Sequence, residues 1–157
     1  MPLRKTWRAA ESCCGWFPNR AARDAASHDA LPAPVWDDRF VRQRVLIVDD
    51  HPEFRLAAAE LLEDEGFVVV GSAADGPTAI EETRRARPDV VLLDIQLPGM
   101  DGFAVAGLLA ALPEPPAVVL TSSRDAASYG ARIAAAPSCG FIAKRELSGA
   151  ALAALVP

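Results

Sequence analysis

Residues Val90-Val91-Leu92-Leu93 form an uninterrupted aliphatic run that ends on a carboxylate, Asp94, and the loop signals Gln96-Leu97-Pro98-Gly99 follow at once. A run this short and this uniformly apolar predicts a strand buried on both faces, the environment of a parallel sheet. Parallel strands need crossover connections, so helices must lie between them, and open sheets of this kind place ligands at the carboxyl ends of their strands. Asp94 is therefore expected at such a strand end.

The same arrangement recurs along the chain. Val45-Leu46-Ile47-Val48 closes on Asp49-Asp50, Val118-Val119-Leu120 on Thr121-Ser122, and Phe141-Ile142-Ala143 on Lys144. Four strand ends thus carry acids, hydroxyls and an amine, and Phe67-Val68-Val69-Val70 reads as one more strand. Helical segments fill the gaps. His51-Pro52-Glu53 opens the first, with Pro in the first turn, Phe54, Ala58 and Leu61 on one face and Gly66 placed as a left-handed cap. A second spans about 77–87, capped by Asp75 and stopped by Pro88. The third runs from about 102 to 112, an Ala-rich fourth from about 125 to 136 up to Pro137, and the last starts at Ser148. Strands alternating with helices imply a parallel sheet with helices on both faces.

Composition sets the remaining bounds. The 157 residues, 51% of them hydrophobic, suffice for one domain with an extension. From residue 40 onward there are 10 basic and 16 acidic residues, against 6 and 5 before it, so the folded part is a poor candidate for binding nucleic acid directly. Residues 1–42 scatter Trp7, Trp16, Phe17 and Trp36 among Pro, Ala, Arg, Asp and Ser without a sustained period, and are read as a disordered extension. Their basic start lacks the apolar segment of a secretory signal, and no stretch of about 18 apolar residues offers a membrane span, so a cytoplasmic location is expected. Cys13, Cys14 and Cys139 have no metal-ligand spacing; with His28 and His51 the only histidines, a Cys/His zinc cluster would have to join the extension to the domain.

The ordered set VDD, LLDIQLPGMDG, LTS and FIAK, spread over roughly residues 44–155, resembles the receiver domain of two-component response regulators. The resemblance implies an α/β fold, the flavodoxin-like doubly wound (βα)5 with a five-stranded parallel sheet in the order 2-1-3-4-5, over residues 43–157. It also implies roles. Asp94 is the phosphoacceptor that takes a phosphoryl group from a sensor histidine kinase or a histidine phosphotransfer protein. Asp50 and Asp94 ligate Mg2+ directly, Asp49 acts largely through water, and the backbone carbonyl of Gln96 completes the set. Three converging carboxylates repel one another, and a hard divalent cation with oxygen ligands relieves that repulsion. Lys144 and Thr121 contact the phosphoryl group, and Thr121 couples to the aromatic Phe141, three residues before Lys144. The switched surface is the last helix-strand-helix face, which engages a downstream protein.

Ala143 departs from the family pattern, which often has Pro before the lysine, and the last helix is short. With no helical stretch beyond it for a helix-turn-helix output, the expectation is a stand-alone receiver without direct DNA binding. Such a protein is not an enzyme toward others, although it assists its own phosphorylation and dephosphorylation. Two rival readings are an aspartyl-phosphate phosphatase or phosphotransferase, which needs an acid where Gln96 stands, and a scaffold that ignores phosphorylation.

Deleting residues 1–40 is expected to leave folding intact. Thermal melting of the truncated protein checks this: a loss above about 2 kcal/mol, the worth of one buried large side chain, would show that the tryptophans pack on the domain.

Overall fold

In the computed structural model, which describes residues 42–157, the four apolar runs become the three inner strands and one edge strand of a single sheet. The strands are β1 (Arg44–Val48), β2 (Val68–Ala73), β3 (Val90–Asp94), β4 (Ala117–Ser122) and β5 (Gly140–Ala143). They pair in parallel throughout, in the order β2-β1-β3-β4-β5. All five residues of β3 and all six of β4 are buried, as the unbroken aliphatic runs require. The expectation for residues 1–42 falls, Arg42 apart, outside the described residues.

Alternation along the strands divides the interior into two layers. Leu46, Val48, Val91, Leu93, Val118 and Leu120 face one side, where they meet Ala79 of α2 (Gly76–Ala86) and Val105, Ala106 and Leu109 of α3 (Gly102–Ala110). Val45, Ile47, Val90, Leu92 and Val119 face the other, against Ala58 and Leu62 of α1 (Pro52–Asp64) and Leu152 of α5 (Gly149–Leu155). This is the flavodoxin-like doubly wound arrangement, with the sheet sandwiched between helices.

Local chemistry sets the helix ends. The side chains of Asp75, Asp101 and Ser148 accept hydrogen bonds from the backbone N–H groups of Thr78, Ala104 and Ala151 at 2.9, 2.9 and 3.0 Å, which satisfies donors that the first turn leaves free. Arg87, at φ 48°, closes α2 in the left-handed region before Pro88.

Two elements differ from the sequence expectation. The strand read at Phe67–Val70 starts one residue later and ends three residues later, because β2 is an edge strand that skips Val70 in its pairing with β1: Val45 faces Val69 and Leu46 faces Gly71. The helix expected over about 125–136 is not continuous. Ala126–Ser128 form a single 3-10 turn, Gly130 interrupts at φ 48°, and only Ala131–Ala135 (α4) are α-helical. Alanine favours a helix, but this segment buries none of its helical residues, and without a packed face five residues of propensity hold only one turn.

One glycine ties α3 to the strand that carries Asp94. The Gly102 N–H donates to Ile95 O at 2.8 Å, and a Cβ on Gly102 would overlap the Asp94 carbonyl oxygen and the Ile95 Cα. Gly102→Ala is therefore expected to destabilise by about 2–4 kcal/mol, because backbone on both sides must yield. Gly107→Ala, on the open face of the same helix with nothing within 4 Å of the new methyl, should stabilise by about 0.5–1 kcal/mol. Chemical denaturation of the two variants checks the contrast.

Candidate functional site

The carboxyl edge of the sheet gathers Asp49, Asp50 and Asp94, the acids that end β1 and β3. Asp49 is wholly buried, Asp94 is 2% exposed, and Asp50 is open to solvent. A backbone turn fixes each buried acid: Asp49 Oδ1 accepts from the His51 N–H at 2.9 Å, and Asp94 Oδ1 from the Gln96 N–H at 3.0 Å. The sequence reading assigned Gln96 through its carbonyl; the described contact is made by its N–H.

Lys144 follows β5 and brings an ammonium group into this cluster's interior. Its Nζ lies 2.5 Å from Asp49 Oδ2 and 3.1 Å from Asp94 Oδ2, and 4.7 Å above the Phe54 ring of α1. The ammonium thus bridges two strand ends. Burial raises the Asp94 pKa above the ordinary carboxylate range; the neighbouring Asp49 charge adds to this, and the Gln96 N–H and Lys144 only partly offset it. For Lys144, burial pulls the pKa down, but the hydrogen bonds and charges of Asp49 and Asp94 outweigh it and hold the group above its usual value.

Thr121 stands directly across from Asp94 in the β3–β4 register, and the Ile95 N–H donates to its carbonyl at 2.9 Å. Its side chain is fully buried and its Oγ1 has no hydrogen-bond partner among the described residues. Phe141 lies away from the acids, half-buried against the layer formed with α2 and α3, its ring 6.2 Å from that of Tyr129. The Tyr129 and Ser122 hydroxyls are 2.6 Å apart, so the residue after Thr121 is joined to Phe141 through one tyrosine.

The cluster therefore brings together Asp49, Asp50, Asp94 and Lys144, sets Thr121 beside them, and leaves Phe141 in a second layer. Three neighbours escaped the sequence reading. His51, at the mouth, places Nδ1 3.1 Å from Asp49 Oδ1 and 2.9 Å from Asp50 Oδ1. Arg55 donates to the Asp49 carbonyl at 2.6 Å, and Tyr129 makes the link just described. His51 directly follows the two acids in sequence, which was the available signal; Tyr129 lay inside a segment read as plain helix.

The donor set suits a divalent cation. Ligand atoms of Asp49, Asp50, His51 and Asp94 all lie within 4.8 Å of one another, with Asp49 Oδ2 ion-paired to Lys144 on the inner side. Two carboxylates and carbonyl oxygen with room for water are what magnesium accepts.

Comparison with known proteins gives a consistent result. The family model described as the response regulator receiver domain matches residues 45–156. The transcriptional regulatory protein PdtaR of Mycobacterium tuberculosis (strain H37Rv) is 41% identical over 98 residues, 60% of this chain and 48% of its own length. The chain spans about half the length of the curated relatives it matches. Among solved structures, the signal receiver domain of the NarL response regulator from Mycobacterium tuberculosis superposes with a TM-score of 0.64 at 34% identity, over 73% of this chain and 96% of that one. A CheX-CheY-BeF3-Mg2+ complex from Borrelia burgdorferi matches with a TM-score of 0.63 at 26% identity, over 72% of this chain and 85% of that one. Among the described residues no helix is long and apolar enough to cross a membrane.

The raised Asp94 pKa has a measurable consequence. The folded protein binds this proton more tightly than the unfolded chain does, so stability from this group is present at low pH and is lost as pH rises through the folded pKa. Asp94→Asn is accordingly expected to melt above wild type at pH 7, with the gap closing as pH falls toward the ordinary carboxylate range. A variant that melts below wild type at pH 7 would show that the Lys144 pairing outweighs the burial.

Proposed function

The chain belongs to the response regulator receiver domain family of two-component systems, and from that premise we propose that Asp94 is its phosphoacceptor. One observation carries the reading: a buried carboxylate at a strand end, gripped by the Gln96 N–H and the Lys144 ammonium, with a Thr121 hydroxyl on the adjacent strand that has no hydrogen-bond partner among the described residues. A carboxylate oxygen of Asp94 attacks the phosphorus of a phosphohistidine in a sensor kinase or histidine phosphotransfer protein in the cytoplasm. The new O–P bond forms as the P–N bond breaks, and the departing imidazole keeps the electron pair and takes up a proton. Asp94 needs no general base, since it reacts ionised.

The chain's own residues then act by position and charge. Lys144 passes from the Asp94 oxygen to a phosphoryl oxygen, and the Thr121 hydroxyl donates to another. Asp50 and Asp94 with the Gln96 carbonyl would hold Mg2+, and Asp49 would reach it largely through water; the bound ion supplies neutralisation of phosphoryl charge. Gln96 also argues against a phosphatase-type enzyme, because an acid two residues after the nucleophile is what such turnover requires. The protein acts on its own phosphoryl group.

Output is proposed to run through Thr121 and Phe141 to the face formed by α4, β5 and α5, where a downstream protein docks. The hydroxyl contact of Ser122 with Tyr129, and the Tyr129 ring beside Phe141, support this route because they join the end of β4 to that face. The acidic balance beyond residue 40, 16 acids to 10 bases, favours a protein partner over direct contact with DNA.

Incubation with acetyl phosphate and Mg2+ followed by intact mass tests the reading. Wild type is expected to gain one phosphoryl group and Asp94→Asn none. Lys144→Ala is expected to accept the group more slowly and to lose the phosphorylation-dependent change at the α4-β5-α5 face, read by amide hydrogen exchange. Labelling of Asp94→Asn at the wild-type level would overturn the assignment.

A further inference from the structure

Phe54 sits in the first turns of α1, at the carboxyl edge of the sheet. Ala58 and Leu62 follow it at the spacing of one helix face and are buried against the strands, so Phe54 continues their stripe. Its ring is half-buried against the same layer, and there it meets a charge: Lys144 Nζ lies over the ring, 4.7 Å from its centroid. The helix is fastened at this end, because Arg55 donates to the Asp49 carbonyl at 2.6 Å. An element anchored by apolar packing thus holds an aromatic face against the ammonium.

The other partners of Lys144 do not serve it equally through the proposed reaction. Once an Asp94 oxygen is bonded to phosphorus, the carboxylate that now accepts from Nζ at 3.1 Å is no longer an anion. Asp49, wholly buried and 2.5 Å from Nζ, then pulls the ammonium inward, away from the new phosphoryl group. The ring face carries its partial negative charge at both stages, and its attraction for a cation grows as water is excluded. The Lys144 side chain is 12% exposed, so little water competes. We propose that Phe54 is a positioning residue for Lys144, holding the ammonium over the phosphoryl site while the lysine exchanges a carboxylate oxygen for a phosphoryl oxygen. The inference rests on Asp94 as phosphoacceptor and adds to it a group on α1 that bonds neither phosphoryl group nor metal.

The test follows phosphoryl uptake by the full-length protein from saturating acetyl phosphate with Mg2+, read by intact mass over time. Phe54→Leu keeps apolar packing and removes the aromatic face, whereas Phe54→Tyr restores that face. Phe54→Leu is expected to slow uptake about three- to tenfold, the size of a partly desolvated cation–π contact expressed as a rate, and Phe54→Tyr to recover most of it. With Lys144→Ala already present, Phe54→Leu should change the rate by less than about twofold, since the ring then has no ammonium to hold. A ring-fluorinated phenylalanine at position 54 keeps the shape and withdraws charge from the face; it should slow uptake too, which covers a folding defect in Phe54→Leu. Proton NMR gives a readout that needs no phosphorylation: the Lys144 ε-methylene should resonate upfield over the ring in wild type and Phe54→Tyr, and return toward the position of an exposed lysine in Phe54→Leu. Equal slowing by Leu and Tyr, slowing by Leu that persists beside Lys144→Ala, or wild-type uptake in both Phe54→Leu and the fluorinated protein would each overturn the inference. Absence of the upfield shift in wild type sinks the positioning alone, whereas labelling of Asp94→Asn at the wild-type level sinks the reading beneath it.

Discussion

Buried like charge is the constraint on which the site depends. Asp49 and Asp94 are taken almost wholly out of water on neighbouring strands, and Asp50 adds a third carboxylate at the surface. Isolated carboxylates do not survive such burial ionised without compensation. Lys144 supplies one charge against three, and two backbone N–H groups supply hydrogen bonds. The balance remains short of cation, and that shortage supports the reading proposed above, in which a divalent ion and then a phosphoryl group enter the pocket.

Such a cluster needs a rigid base. β1, β3 and β4 are packed on both faces, and their ends cannot retreat from one another without breaking ladder hydrogen bonds and two apolar layers. Gly102 extends the constraint to α3, since only the absence of a side chain lets that helix start against the Asp94 carbonyl. Phe54 brings in α1 by lying under the Lys144 ammonium. The charges are thus held by elements whose own stability comes from apolar burial elsewhere.

How much of this was legible in the sequence follows from which forces were local. β3 and β4 were readable because burial on both faces writes itself as an unbroken aliphatic run, and the caps at Asp75 and Ser148 were readable because capping is a contact between near neighbours. Residues 126–135 were not: their alanines promise a helix, but whether a helix forms there depends on packing that sequence does not display, and Gly130 takes a left-handed conformation instead. In the site, Asp49, Asp50, Asp94 and Lys144 stand at strand ends and could be placed by pattern. His51 was passed over because its role depends on a turn that folds the chain back onto the preceding acids. Tyr129 was passed over because its partners, Ser122 and Phe141, lie on two strands.

The same contrast between rigid and weakly held parts locates where a change at Asp94 can travel. Movement of the inner strands is resisted by both layers, whereas the segment from Asp125 to Ala136 buries no helical residue and is held from outside. Its fastenings are surface ion pairs, Arg132 with Asp101 and Arg145 with Asp125, and the stacking of Arg132 on Phe103. Exposed pairs of this kind contribute about 0–1 kcal/mol each, less than one buried side chain. Tyr129 reaches inward, its ring against the layer that holds Phe141 and its hydroxyl to Ser122 at the very end of β4. In the proposed switch, a displacement at Thr121 reaches the short, interrupted α4 through this tyrosine.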